Sequence, residues 1–301
     1  MRLDDVDPSG NIEDQGRGGG GFGGGVGGGG LGGLLFAILP MLLGRKMGCG
    51  TLLLLAVGAF FLFNSGMLNL GSSGVTTGDT EIQRQTANDK CDTEAELYAC
   101  RVFTLAESTW AGVFSQAGAR YQPAKLRFYQ GGGQSGCGAA QSAMGPFYCP
   151  ADQGIYLDTS FFQQLDQMTG AAGGDFAYAY VIAHEMGHHI QNLTGVADQV
   201  RRAQARASQA EGNALQVRME LQADCYAGVW AAKNAARIEA GDIEEGMRAA
   251  HAIGDDKLMR DAGRAPVESM FTHGTSEQRM AALKQGLQSG DPNSCDYFRS
   301  N

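Results

Sequence analysis

The stretch at 183–190, AHEMGHHI, holds three of the chain's five histidines and sets His, Glu and His at the spacing HExxH. Residues four apart on an α-helix differ by ~40° in direction and ~6 Å in height, so His184 and His188 can aim at one ion. Glu185 is turned ~100° from His184, off the metal but within reach of a water beside it. A tetrahedral zinc that does chemistry takes three protein ligands and keeps one position open. The run supplies two of the three.

Three places offer a further ligand. His189 follows His188 directly, so on a helix it points ~100° away and reads as a packing or surface histidine. The extended pattern HExxHxxGxxH fails, because Gln191 and Thr194 stand where Gly and His are needed. Downstream, ELQAD places Glu220 and Asp224 four apart in a helical stretch whose neighbours Leu221, Ala223, Tyr226, Ala227, Val229 and Trp230 are mainly apolar. Carboxylates on a buried helix need a partner. Glu220 as third ligand leaves the fourth position open. Asp224 can then hold the outer nitrogen of one histidine, fixing its tautomer.

Other elements must bring these helices together. Residues 94–117 space Leu97, Val102, Leu105, Trp110 and Phe114 for one buried helical face. Residues 125–129, KLRFY, alternate as a strand, 131–138 is a Gly-rich loop, and 147–148 with 155–157 make a hairpin around CPADQG. The strand at 155–157 is either an edge along which an extended peptide can lie or an ordinary buried strand. Helices follow at 160 onward, 175–193, 197–210, 214–240, 243–254 and 276–287. Strands first and helices afterwards give an α+β fold: a small N-terminal sheet, a helical C-terminal half and the zinc site between them.

The chain's beginning reads differently. Between 16 and 33, fourteen of eighteen residues are Gly without a G-X-Y period, so 1–33 reads as a disordered tail. Within a transmembrane region at 34–70, the run 48–70 has 23 residues and no charge, enough to span a bilayer at ~20 residues. The run 31–43 is shorter and holds Pro40; it is re-entrant or interfacial, or pairs with the second run as two tight spans. Arg45 and Lys46 precede the main span and no basic residue follows until Arg84. That bias places the N-terminus in the cytoplasm, with a single pass through the inner membrane and a periplasmic or extracellular domain. A linker at 71–90 leads to one domain at 91–301. Six cysteines lie there, suiting an oxidising compartment, and pair in chain order as Cys91–Cys100, Cys137–Cys149 and Cys225–Cys295. The net charge of −9 and the lack of a basic stripe exclude nucleic acid as a partner.

HEMGH followed by ELQAD resembles the gluzincins, zinc peptidases with a glutamate third ligand. It is especially similar to the neutral zinc metallopeptidase family of bacterial membrane-anchored proteins. The shared text also includes GPFYCPADQGIYLD at 145–158, RMELQADCYAG at 218–228 and THGTSEQR at 272–279. The resemblance implies a zincin fold, one Zn²⁺ held by His184, His188 and Glu220, and a peptide or protein substrate. It implies Glu185 as general base and His273 either as a donor to the oxyanion or merely as a lead into the next helix. The competing expectation is a non-catalytic exported module, adaptor or chaperone-like, that keeps zinc for stability. A closed four-ligand zinc would favour that module.

Overall fold

A computed structural model describes residues 1–17, 90–170 and 174–298. Its sheet has six strands: β1 (Ile12–Arg17), β2 (Lys125–Gln130), β3 (Gly132–Ser135), β4 (Gly138–Gln141), β5 (Phe147–Cys149) and β6 (Gly154–Leu157). The order is β4-β3-β2-β6-β5, with β1 also on β2. Strands β1 and β6 run parallel to β2, whereas β5 is antiparallel to β6. Alternation in β2 sends Leu126 and Phe128 into the main core. Tyr129 joins Ala140, Cys149 and Tyr156 in a small second cluster.

Eight α-helices cover the core face: α1 (Glu94–Gln116), α2 (Ser160–Thr169), α3 (Asp175–Leu193), α4 (Val196–Gln204), α5 (Gln209–Lys233), α6 (Asp242–Ala252), α7 (Asp255–Asp261) and α8 (Ser276–Ser289). Capping boxes start three of them, pairing Thr93 with Glu96, Ser208 with Glu211 and Thr275 with Gln278. Helix α3 runs through the middle and is buried on nearly every side, as is the second half of α5. Disulfides join Cys91 to Cys100, Cys137 to Cys149 and Cys225 to Cys295. The last ties α5 to the chain's final described turn.

The α+β arrangement is present, but among the described residues it is not preceded by a transmembrane helix. Among the described residues no helix is long and apolar enough to cross a membrane. The expected span at 48–70, the run at 31–43, the glycine tract and nearly all of the linker lie outside the described residues. A second observation bears on topology. The described residues before and after that stretch fall in one compact unit, where Ile12 pairs with Leu126 and Glu13 with Arg127 in one sheet. Strands of one sheet cannot lie on opposite faces of a bilayer. A single pass that separates the N-terminal segment from the rest of the domain therefore does not stand, and among the described residues no helix supplies the expected membrane anchor.

Of the tail expected at 1–33, residues 1–17 are described and pack on the domain: Met1, Leu3, Val6 and Ile12 are buried in the main core, and 18–33 lie outside the described residues. Glu13 is held by Lys125 and by Arg127 at 2.7 Å, so a polar segment forms a strand through pairing rather than alternation. The Gly-rich loop at 131–138 contributes a hairpin, β3 and β4. Strand β6 is not an edge: it lies between β2 and β5 with all four residues buried, and β5 ends the sheet.

Candidate metal centre

The site is built where α3 and α5 touch. Gly187, between the two motif histidines, permits this: a Cβ there would lie 2.9 Å from Ala223 Cα and 3.0 Å from its carbonyl oxygen. Any larger residue would push α5 away. At this separation Glu220 Oε2 lies 3.2 Å from His184 Nε2 and 3.5 Å from His188 Nε2. Bonds of ~2.0–2.1 Å to a tetrahedral ion put neighbouring ligand atoms ~3.3–3.4 Å apart. Both Glu220 distances are close to that edge length, and the three residues form a group that can hold a metal ion.

Each ligand is fixed from behind. Asp224 Oδ1 is 2.7 Å from His184 Nδ1, which donates to it and leaves Nε2 for the metal. His188 Nδ1 is 2.9 Å from Gln191 Oε1. Gln191 Nε2 donates to the Met219 carbonyl and to Gln222 Oε1, so its oxygen can only accept and His188 Nδ1 must carry the proton. Gln216 Nε2 holds Glu220 Oε1 at 2.8 Å, leaving Oε2 toward the histidines.

Asp224 is fully buried. Arg279 Nε and Nη2 each donate to it at 2.9 Å, and the Tyr180 hydroxyl donates at 2.6 Å. Helix α8 reaches this depth through two glycines: a Cβ on Gly286 would meet the Cys225 carbonyl, and one on Gly228 would meet Leu283 and Leu287 backbone. Arg279 and Tyr180 carried no role in the sequence reading. The available signal was Asp224 itself, an acid on a buried helix that needs a countercharge.

The electrostatics follow from this packing without a metal. Burial alone would lower the His184 pKa, but the Asp224 carboxylate and the hydrogen bonds to Asp224 and Glu220 lift it to about 10. His188 is also raised, burial being outweighed by Glu220. Burial would raise both carboxyls; instead His188 and His184 hold Glu220 well below its usual range, and Arg279 with His184 holds Asp224 at about 2.

The remaining expected residues separate. Glu185 is buried and lines the same cavity of about 550 Å³ as the three ligands. His189 is remote in role: Nε2 donates to the Gln122 carbonyl at 2.7 Å, so Nδ1 accepts from the Tyr148 hydroxyl at 3.0 Å. Burial lowers its pKa, which keeps it neutral. His273 is half exposed at the cavity wall. Its loop wraps Asp255, whose Oδ2 accepts from the N–H groups of Thr272, His273 and Gly274 at 2.7, 2.6 and 3.1 Å. Asp255 Oδ1 is 3.2 Å from His273 Nδ1. A second acidic group, Asp175, Asp242 and Glu245, is already engaged. The Met1 amine lies 2.9 Å from Asp175 and 3.3 Å from Asp242, and Glu245 accepts from the Phe176 N–H.

The chain is similar to other bacterial proteins over long stretches. The chain is 45% identical over 255 residues to the uncharacterized protein YpfJ of Escherichia coli K12, covering 83% of this chain and 87% of that one. It is 43% identical over 225 residues to the uncharacterized proteins Rv2575 of Mycobacterium tuberculosis H37Rv and Mb2605 of Mycobacterium bovis, covering 69% of this chain and 74% of theirs. No solved structure matches. A family model described as "Putative neutral zinc metallopeptidase" matches residues 1–298, from β1 through the last turn, and the chain belongs to that family.

Proposed function

We propose that this chain is a zinc-dependent endopeptidase, hydrolysing internal peptide bonds with Glu185 as general base. One observation carries the reading: Glu220 Oε2 sits close to tetrahedral edge distance from both His184 Nε2 and His188 Nε2, on the wall of a cavity that Glu185 also lines. Zinc bound there supplies Lewis-acid polarisation of a water and of the scissile carbonyl. Glu185 takes the proton of the attacking water and later delivers it to the leaving amine. Asp224 and Gln191 hold the two imidazoles in the tautomer that leaves Nε2 free. His273, placed at the cavity wall by the loop wrapped on Asp255, serves the oxygen on which charge develops. An extended substrate has β5 to lie against, since that strand ends the sheet and Phe147 and Tyr148 line the cavity.

A purely structural zinc wants a fourth protein ligand. Among the described residues the metal-type group at this site has three members, which disfavours the adaptor reading. The test is Glu185→Gln. Zinc content should stay at that of the wild type while the rate of peptide cleavage drops by roughly 10²–10⁴. Undiminished cleavage by a zinc-replete variant would remove Glu185 from the mechanism.

A further inference from the structure

We infer that the cleft selects internal bonds within extended apolar stretches of polypeptide, seating a large uncharged side chain beside the scissile bond. The inference rests on the peptidase reading above and adds a substrate class to it.

The walls carry the first part of the case. Helix α2 turns Phe161, Gln164 and Met168 toward the cavity at i, i+3 and i+7, one face of the helix. Val181 lies on α3 one turn before His184 and lines the cavity too. Met144 precedes β5, and Leu258 of α7 lies on the wall with His273. A cavity of about 550 Å³ is of the size that ordinarily takes a small-molecule or side-chain guest.

The charges carry the second part. The ionisable side chains lining the cavity, apart from the Tyr180 and Tyr148 hydroxyls, are His184, Glu185, His188, Glu220, His273 and Arg279. Three hold metal, Glu185 handles the water's proton and His273 faces Asp255. The Arg279 guanidinium is spent on Asp224, Tyr180 and the Ile253 carbonyl. Among the described residues lining the cavity, no acidic or basic side chain is left over to meet a charged residue of the substrate, an α-ammonium or an α-carboxylate. Seating any of these unpaired is unfavourable. Chain ends are therefore disfavoured, and internal uncharged segments are favoured.

The exposed apolar surface carries the third part. Among the described residues the large apolar side chains left exposed are Met144, Leu258, Val267 and Met270, at 58%, 39%, 45% and 60%. Met144 and Leu258 line the cavity. Val267 and Met270 lie on residues 261–270, an entirely exposed segment that runs from the helix of Leu258 to the loop of His273. Scattered exposed apolar residues need no explanation, but these gather on the two segments that border one opening. A folded, polar protein surface gains nothing from such a border; an unfolded apolar segment does.

The test uses the zinc-loaded full chain and internally quenched peptides that differ at one position flanking the cleaved bond. Leu or Phe there should give kcat/KM roughly 10–100-fold above Asp or Lys, the range expected for burying one large apolar side chain. Met144→Asp and Leu258→Asp alter exposed side chains, so both variants should fold. Each should cut cleavage of the Leu peptide about tenfold and raise that of the Lys peptide, a change in preference that a loss of stability would not give. Cleavage with no preference, a preference for charged residues, or release of terminal residues only would overturn the inference and leave the peptidase standing. Failure of the wild type to cleave any peptide or any unfolded protein would overturn both.

Discussion

The back of the metal centre and its front are built on different principles. Behind the ligands, Asp224, Arg279, Tyr180, Gln191 and Gln222 are buried, and each makes two or more hydrogen bonds to named partners. In front, the 261–270 segment is wholly exposed, and His273 is held through one loop wrapped on Asp255. Helix crossings that no side chain could fit between, at Gly187 and Gly286, lock the back in place. At the front a like approach, Gly254 against the Ser276 backbone, holds only the start of α7, and Gly263 in the exposed segment has nothing within 4 Å. A rigid donor set beside a loosely held wall is the arrangement expected when metal geometry must be exact and the substrate is a varied polymer.

Removing the countercharge should break the back most severely. In Arg279→Met, the Asp224 carboxylate loses two charge-assisted bonds in a fully buried setting. Orphaning one partner of a buried ion pair destabilises by about 3–5 kcal/mol. Loss of the groups that orient a ligand weakens metal binding by roughly 10–100-fold. Denaturant unfolding of the metal-free protein and a competitive zinc titration measure the two effects. A variant matching the wild type in both would show that His184 is not held through this network.

The same contrast governs what the sequence made legible. His184, Glu185, His188, Glu220 and Asp224 could be read because their relations are local: four-residue spacings on two helices, with apolar neighbours that mark burial. Arg279 lay in a quoted segment, THGTSEQR, yet its partner is 55 residues away on another helix, and no periodicity announces such a contact. Strand β1 was hidden for a related reason. Only Ile12 in it is fully buried, and its pairing with β2 spans over a hundred residues. The hairpin at 132–141 was concealed by glycine, which supplies backbone for pairing but no alternating pattern. Hydropathy suggested a span at 48–70 and, with it, separated flanks; the shared sheet of β1 and β2 shows those flanks together.

His273 tests the front. In His273→Ala the half-exposed side chain leaves no cavity, so unfolding stability should change by no more than about 0.5 kcal/mol. If it donates to the developing oxyanion, kcat should fall by about 10²-fold with zinc affinity unchanged. Asp255→Asn should lower kcat less, since the amide oxygen can still accept from the Thr272, His273 and Gly274 N–H groups and keep the loop in place. Equal kcat in wild type and His273→Ala would make the histidine a wall residue and nothing more.

The smallest effect separates the two regions by pH. In the metal-free protein His184 titrates at about 10, so the stability it contributes is fully present below its ordinary value of 6.5 and is lost as pH rises through about 10. Glu220 and Asp224 act in the opposite sense: their contribution is present above ordinary carboxyl values and lost as pH falls, for Asp224 toward about 2. Zinc needs both Nε2 lone pairs, so binding must expel the proton that His184 carries at neutral pH. Apparent zinc affinity should therefore climb with pH between about 6.5 and 10, by up to about tenfold per unit for each proton displaced. Calorimetry at pH 7 in buffers of different ionisation enthalpy should register the release of at least one proton, from His184. Asp224→Asn removes the charge that raises His184 and should shrink that release, whereas His273→Ala, in front, should leave it unaltered. A wild-type protein that binds zinc with no proton release would mean the donor set is already neutral, and that Asp224 and Glu220 do not charge the histidines as their contacts suggest.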